Sequence, residues 1–138
     1  MGDGQILIID SGSQTRWNVR FLLYLAGYGS TVVLNGAEAV NWTVSRDPEA
    51  SPYALLLIND LPGRKSWRTV ARSFRQLKIS MPILVVVREG DCDSLQQEFA
   101  EAGDLHAGWC FPEDLLENVR ALCDRRQETE KRTGTEGD

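Results

Sequence analysis

Hydrophobic residues in this chain gather in short unbroken runs. Residues 5–9 (Gln-Ile-Leu-Ile-Ile), 54–58 (Ala-Leu-Leu-Leu-Ile) and 83–87 (Ile-Leu-Val-Val-Val) are each closed by polar or turn-forming residues. Continuous apolar runs of this length predict strands buried on both faces, as in the middle of a parallel sheet. Between them the spacing turns helical. A helix is predicted over about 14–26, stopped by Gly27, and a short one near 37–44 after a strand at 31–34. A basic helix is predicted from Gly63 to about Lys78, and another over 91–102 with Leu95, Phe99 and Ala102 on one face. A fifth strand is expected at 106–110. Pro112 suits the first position of a last helix carrying Leu115, Val119 and Leu122.

The order is β-α five times over. It predicts a three-layer α/β domain, a doubly wound five-stranded parallel sheet with flavodoxin-like strand order 2-1-3-4-5. The domain should span 1–126. Residues 127–138 are almost wholly polar and read as a disordered tail or linker.

Residues 53–62 (Tyr-Ala-Leu-Leu-Leu-Ile-Asn-Asp-Leu-Pro) are the centre of this plan. In open α/β sheets the working groups stand at the carboxyl ends of central strands. Here they are Asn59 and Asp60, with Asp10, Ser11, Gly12 and Ser13 ending the first strand.

Composition narrows the class. No apolar run is long enough to cross a bilayer and no signal segment opens the chain, so a cytoplasmic protein without membrane contact is expected. Cys92, Cys110 and Cys123 form no Cys-x-x-Cys pair and have only His106 as a possible co-ligand; buried free thiols are expected rather than zinc. His106 itself reads as packed, not catalytic. The net charge is −5, yet the stretch from Arg64 to Arg88 holds seven basic residues and no acidic one. A local basic face can attract phosphates or acidic surfaces.

The joint spacing of Asp10-x5-Arg16, Leu22-Leu23, Gly27-Tyr28, Gly36-x-Glu38-Ala39-Val40, Pro82-Ile83-Leu84-Val85-Val86 and Phe111-Pro112 resembles response-regulator receiver domains, over roughly residues 5–123. The resemblance implies a CheY-like fold and a role in two-component or phosphorelay signal transduction. In that family a histidine kinase donates a phosphoryl group to an aspartate ending strand three. Acidic residues after strand one hold Mg²⁺, while a hydroxyl after strand four and a lysine after strand five sense the phosphate. Laid on this chain, Asp10 keeps an acidic position but Ser11 replaces its neighbour. The acceptor position falls on Asn59, Val87 replaces the hydroxyl and Phe111 the lysine. An amide cannot form an acyl phosphate. The resemblance therefore implies a degenerate receiver, or pseudo-receiver, with a vestigial pocket of Asp10, Ser11, Asn59, Asp60, Val87 and Phe111 and no cofactor. It also implies a cis peptide bond at Phe111–Pro112.

The alternative is a phosphorylatable regulator with Asp60 as acceptor and Asp10 and Asp60 holding Mg²⁺. It is suggested by Pro62 lying one residue nearer to Asn59 than is usual.

A receiver without its switch still binds proteins. On the first helix Val19, Leu22, Leu23 and Ala26 form one apolar face, and Trp17, Phe21, Tyr24, Leu25 and Tyr28 a second. The second stripe is a candidate surface for a signalling partner or for self-association as a homodimer. On the basic helix Trp67, Val70, Ala71, Phe74 and Leu77 should face the core, with Lys65, Arg68, Arg72 and Arg75 outward. Those cations alone lack a base-reading element, so direct nucleic-acid binding is not favoured.

Two other classes fit less well. The run 9–14 (Ile-Asp-Ser-Gly-Ser-Gln) resembles the opening of class I glutamine amidotransferases, but no cysteine stands in a Gly-x-Cys-x-Gly elbow. A flavodoxin-like binder would want a richer phosphate loop than Ser11-Gly12-Ser13.

Overall fold

The structure is a computed structural model that describes residues 5–10, 13–45, 53–60, 67–87 and 92–123, without the side chains of 13–18, Asp60 and Cys92. The predicted boundary at 126/127 and the tail lie outside the described residues. In chain order the elements are β1 (Gln5–Asp10), α1 (Ser13–Leu25), β2 (Gly29–Val33), α2 (Gly36–Val44), β3 (Tyr53–Asp60), α3 (Trp67–Gln76), β4 (Ile83–Val86), α4 (Cys92–Ala102) and β5 (Ala107–Cys110). A 3-10 turn, Pro112–Asp114, then leads into α5, residues 115–123. The strands are parallel and ordered β2-β1-β3-β4-β5. The predicted architecture and strand order are those observed.

The unbroken apolar runs are explained by burial on both sides. Leu7, Ile9, Leu56, Ile58, Ile83 and Val85 pack under α2, α3 and α4, joined by Trp67, Phe74 and Leu95. Ile6, Ile8, Leu55, Leu57, Leu84 and Val86 pack on the other side, with Val19 and Leu23 of α1 and Leu115, Val119 and Cys123 of α5. Successive strand residues point to opposite faces, so every second residue joins each half-core. Trp67 stacks on Phe99 with ring centroids 4.0 Å apart and planes at 13°, tying α3 to α4.

Local chemistry fixes the helix ends. At α2 the Asn35 side chain accepts the Glu38 N–H at 2.9 Å, while the Glu38 carboxylate reaches back to the Leu34 N–H at 2.7 Å. That reciprocal pair caps the amino end. Two helices finish in a Schellman turn: Tyr28 N–H donates to Leu23 and Gly27 N–H to Tyr24, and likewise Ile79 to Phe74 and Lys78 to Arg75. The residue in the left-handed position is Gly27 (φ 93°) in the first and Lys78 (φ 61°) in the second.

The structure corrects three expectations, two of them through these turns. Tyr28 is folded back under α1 and only 5% exposed, so it is core and not part of an outer stripe. Leu77 lies past the end of α3, where helical periodicity no longer holds, and faces solvent. Leu22, expected in the core, is 39% exposed because Val19, Leu23 and Ala26 take the buried arc. The predicted start of the basic helix at Gly63 lies outside the described residues.

His106 is exposed rather than packed. Its backbone serves the structure: the carbonyl accepts Ile83 N–H at 2.8 Å and the N–H donates to Asp104 Oδ1 at 2.9 Å. Cys110 and Cys123 are buried and outside any disulfide, as expected. Among the described residues no peptide bond is cis, so Phe111–Pro112 is trans. Phe111 is extended (φ −81°, ψ 157°) and its carbonyl accepts Asp114 N–H, which places Pro112 at the start of a 3-10 turn, where a trans proline fits directly. Among the described residues, no helix is long and apolar enough to cross a membrane.

Candidate functional site

The carboxyl ends of β1 and β3 meet at the middle of the sheet. Asp10 there is wholly buried and Asn59 nearly so, and Asn59 Nδ2 donates to Asp10 Oδ2 at 2.7 Å. A carboxylate only accepts, so the amide nitrogen must be the atom that faces it. A short bond from an amide to a buried anion offsets part of the cost of keeping that anion out of water.

The backbone beneath this contact is irregular. Ile9 pairs with Ile58, but Asp10 pairs with Asp60, so Asn59 is an extra residue in β3 at that step. Such a bulge bends the strand and re-aims a side chain. Asp60 is backbone-paired with Asp10, while its side chain, like all of Ser11, lies outside the described residues.

The flanking positions are apolar. Val87 follows β4, is fully buried, and donates its N–H to Cys110 O at 2.8 Å. Phe111 follows β5, half-buried, with its ring edge-on to Trp109 at 5.5 Å and 86°. Neither side chain can bind an oxyanion by charge or hydrogen bond.

The family resemblance implies Mg²⁺, and the described groups do not fit it. Mg²⁺ takes near-octahedral oxygen ligands and usually one or two carboxylates. The one buried carboxylate described here already accepts an N–H, and no group of three or more His, Cys, Asp or Glu side chains comes together among the described residues.

The second candidate surface is the outer face of α1. Phe21, Tyr24 and Leu25 are 52%, 74% and 65% exposed, and Leu22 joins them. Trp17's side chain lies outside the described residues, and Tyr28 has left the stripe as noted.

Two of the four residues of the predicted basic face are paired with acids. Lys65 lies outside the described residues and Arg72 is exposed, but the other two arginines are engaged. Arg68 pairs with Glu101 of α4 at 3.4 Å. Arg75 binds Asp104 in two-pronged fashion at 3.0 and 3.2 Å, and its Nη1 donates to the carbonyls of Ile79 and Met81. Burial works to raise the Asp104 pKa, but the bonds from Arg75 and from the His106 N–H, with the guanidinium charge, hold it below the ordinary 3.8. Arg75 is a structural clamp. The sequence reading also missed Leu34, Trp42 and Val44, which expose apolar surface at and beside α2. The available signal was the adjacent pair Ala39 and Val40, which packs on the core and leaves Trp42 and Val44 exposed.

No family model matches the sequence and no curated protein matches it. Solved structures do. The receiver domain of the Francisella response regulator 1452 superposes with a TM-score of 0.71 at 16% identity, covering 90% of this chain and 99% of that one. A response regulator receiver domain from Clostridium thermocellum gives 0.71 at 18%, covering 91% and 98%. The chemotaxis response regulator CheY4 of Vibrio cholerae gives 0.65 at 22%, covering 86% and 98%. In layers, strand order and extent, this chain has the fold of the CheY-like receiver domains.

Proposed function

We propose that this chain is a degenerate receiver domain of a bacterial two-component or phosphorelay system. In this reading it works in the cytoplasm by binding a protein partner, independently of phosphorylation. The reading rests on the 2.7 Å bond from Asn59 Nδ2 to Asp10 Oδ2. Phosphoryl transfer to a carboxylate needs a carboxylate nucleophile, a hard cation across the oxygens and a fixed positive group on the developing charge. At the acceptor position stands an amide that cannot form an acyl phosphate, and its N–H points at the remaining acid. The apolar Val87 and Phe111 stand where phosphate would be sensed. The protein is accordingly not an enzyme, and its contact with partners is the aromatic and aliphatic face of α1.

A second reading, phosphoryl acceptance by Asp60, draws support from the register step that pairs Asp60 with Asp10. An amide NMR titration with Mg²⁺ and then beryllofluoride separates the two. Unmoved signals at Asp10, Asn59 and Val87 are expected. Saturable shifts clustered on those residues would favour Asp60 as a working acceptor and end the phosphate-blind reading.

A further inference from the structure

We propose that the partner of the α1 face is a second copy of this chain, docked about a two-fold axis so that α1 of each copy meets α5 of the other. The inference rests on the phosphate-blind reading, since the interface it describes forms without any switch.

Two observations carry it. The first is apolar. Phe21, Leu22, Tyr24 and Leu25 occupy the outward arc of α1 opposite Val19 and Leu23, so the second half of this helix is apolar nearly all round. A helix of that kind is buried on both sides in its working state. The exposed residues of α4, by contrast, are mostly polar: Asp93, Ser94, Gln96, Gln97 and Glu101, with Ala100.

The second observation is charge. The charged residues of α1 are Arg16 and Arg20, with no acid among its thirteen residues. The neighbouring turn and helix on the same side of the sheet carry exposed Glu113, Asp114 and Glu117 against one exposed cation, Arg120. Arg20 and Glu117 are both exposed, and neither has an ion-pair partner among the described residues. The exposed cation Arg20 and the exposed acids Glu113, Asp114 and Glu117 thus lie on the same side of the sheet in one chain. A two-fold operation sets each against its complement, and sets every such pair twice. A partner with a single acidic helix would satisfy only the α1 half and leave the acids of α5 facing its own.

Sedimentation of the full chain from low to high micromolar concentration, with and without Mg²⁺ and beryllofluoride, tests this. A dimer that ignores beryllofluoride is expected. Tyr24→Glu and Leu25→Glu should each weaken it by at least ~30-fold, the loss of a buried interface anchor. Arg20→Glu and Glu117→Arg, both at exposed sites that folding does not need, should each weaken it by about 10-fold, because symmetry doubles a modest surface pair. The double variant should return to within about 2-fold of the parent.

A monomer at every concentration, with the pocket still silent to beryllofluoride, overturns the dimer and leaves the proposed function standing. A dimer that forms only with beryllofluoride overturns both. A dimer in which the two charge reversals add instead of cancelling overturns the α1–α5 docking.

Discussion

Asn59 donates its side-chain N–H to the carboxylate of Asp10 across 2.7 Å, with both side chains out of water. The contact joins the carboxyl ends of β1 and β3. Asn59→Asp would replace the donor by a second acid and set two carboxylates together in the core. The variant should lose roughly 2–3 kcal/mol at neutral pH, and recover part of it as acid supplies the shared proton or as Mg²⁺ is added. Urea unfolding at neutral and mildly acid pH, with and without Mg²⁺, measures this. A variant as stable as the parent and indifferent to Mg²⁺ would show that the hydrogen bond contributes nothing.

The Arg75–Asp104 clamp makes stability depend on pH in a defined window. Asp104 has a folded-state pKa below 3.8, so its contribution is complete above that value and fades as pH falls through the folded value. Asp104→Asn should cost about 1–3 kcal/mol near neutrality, the range for a charge-assisted bond to a partly buried partner. The gap between parent and variant should narrow below pH ~3.8, as the parent's carboxylate takes up its proton. Thermal unfolding of both proteins across the acid range reads it directly.

Lys78 holds a left-handed backbone position that suits glycine. Lys78→Gly removes the clash of Cβ with the following carbonyl, at a cost in chain entropy smaller than the strain relieved. It should raise stability by about 0.5–1 kcal/mol. Gly27→Ala, at φ 93° in the matching turn, should lower it by about 1–2 kcal/mol. The two shifts in denaturation midpoint should be opposite in sign.

Burial, with Asp114 and Glu113 nearby, pushes the Cys110 thiol up to about 11. The nucleophile is the thiolate, so Cys110 should resist alkylation in the folded protein at neutral pH and react on addition of urea. Mass spectrometry of iodoacetamide-treated protein, mapped to the peptide carrying Cys110, gives the result.

What the sequence disclosed depended on how local the cause was. The central strands were readable because a strand covered on both faces has no polar alternative, as Ile6–Ile9 and Leu55–Ile58 show. Asp10 and Asn59 could be located because strand ends carry the polar residues that stop an apolar run. Tyr28 and Leu77 escaped because a reversing turn, not helical period, sets where they point. Arg68 and Arg75 read as a basic face because their acids, Glu101 and Asp104, lie 33 and 29 residues away and reach them only through the packing of α4 beside α3. The bulge at Asn59 has no signature in the residue pattern, since Asn59 and Asp60 end the strand equally well.

That bulge also fixes how far this chain stands from one with facing acids. Asn59 is supernumerary in the pairing of β3 with β1, with Ile58 matched before it and Asp60 after it. Loss of the Asn59 codon alone would join Ile58 to Asp60 and remove the register step opposite Ile9 and Asp10. In evolutionary terms, a regular β1–β3 pairing that ends in two aspartates and the bulged one with an amide inserted are separated by a single deletion in the reading frame.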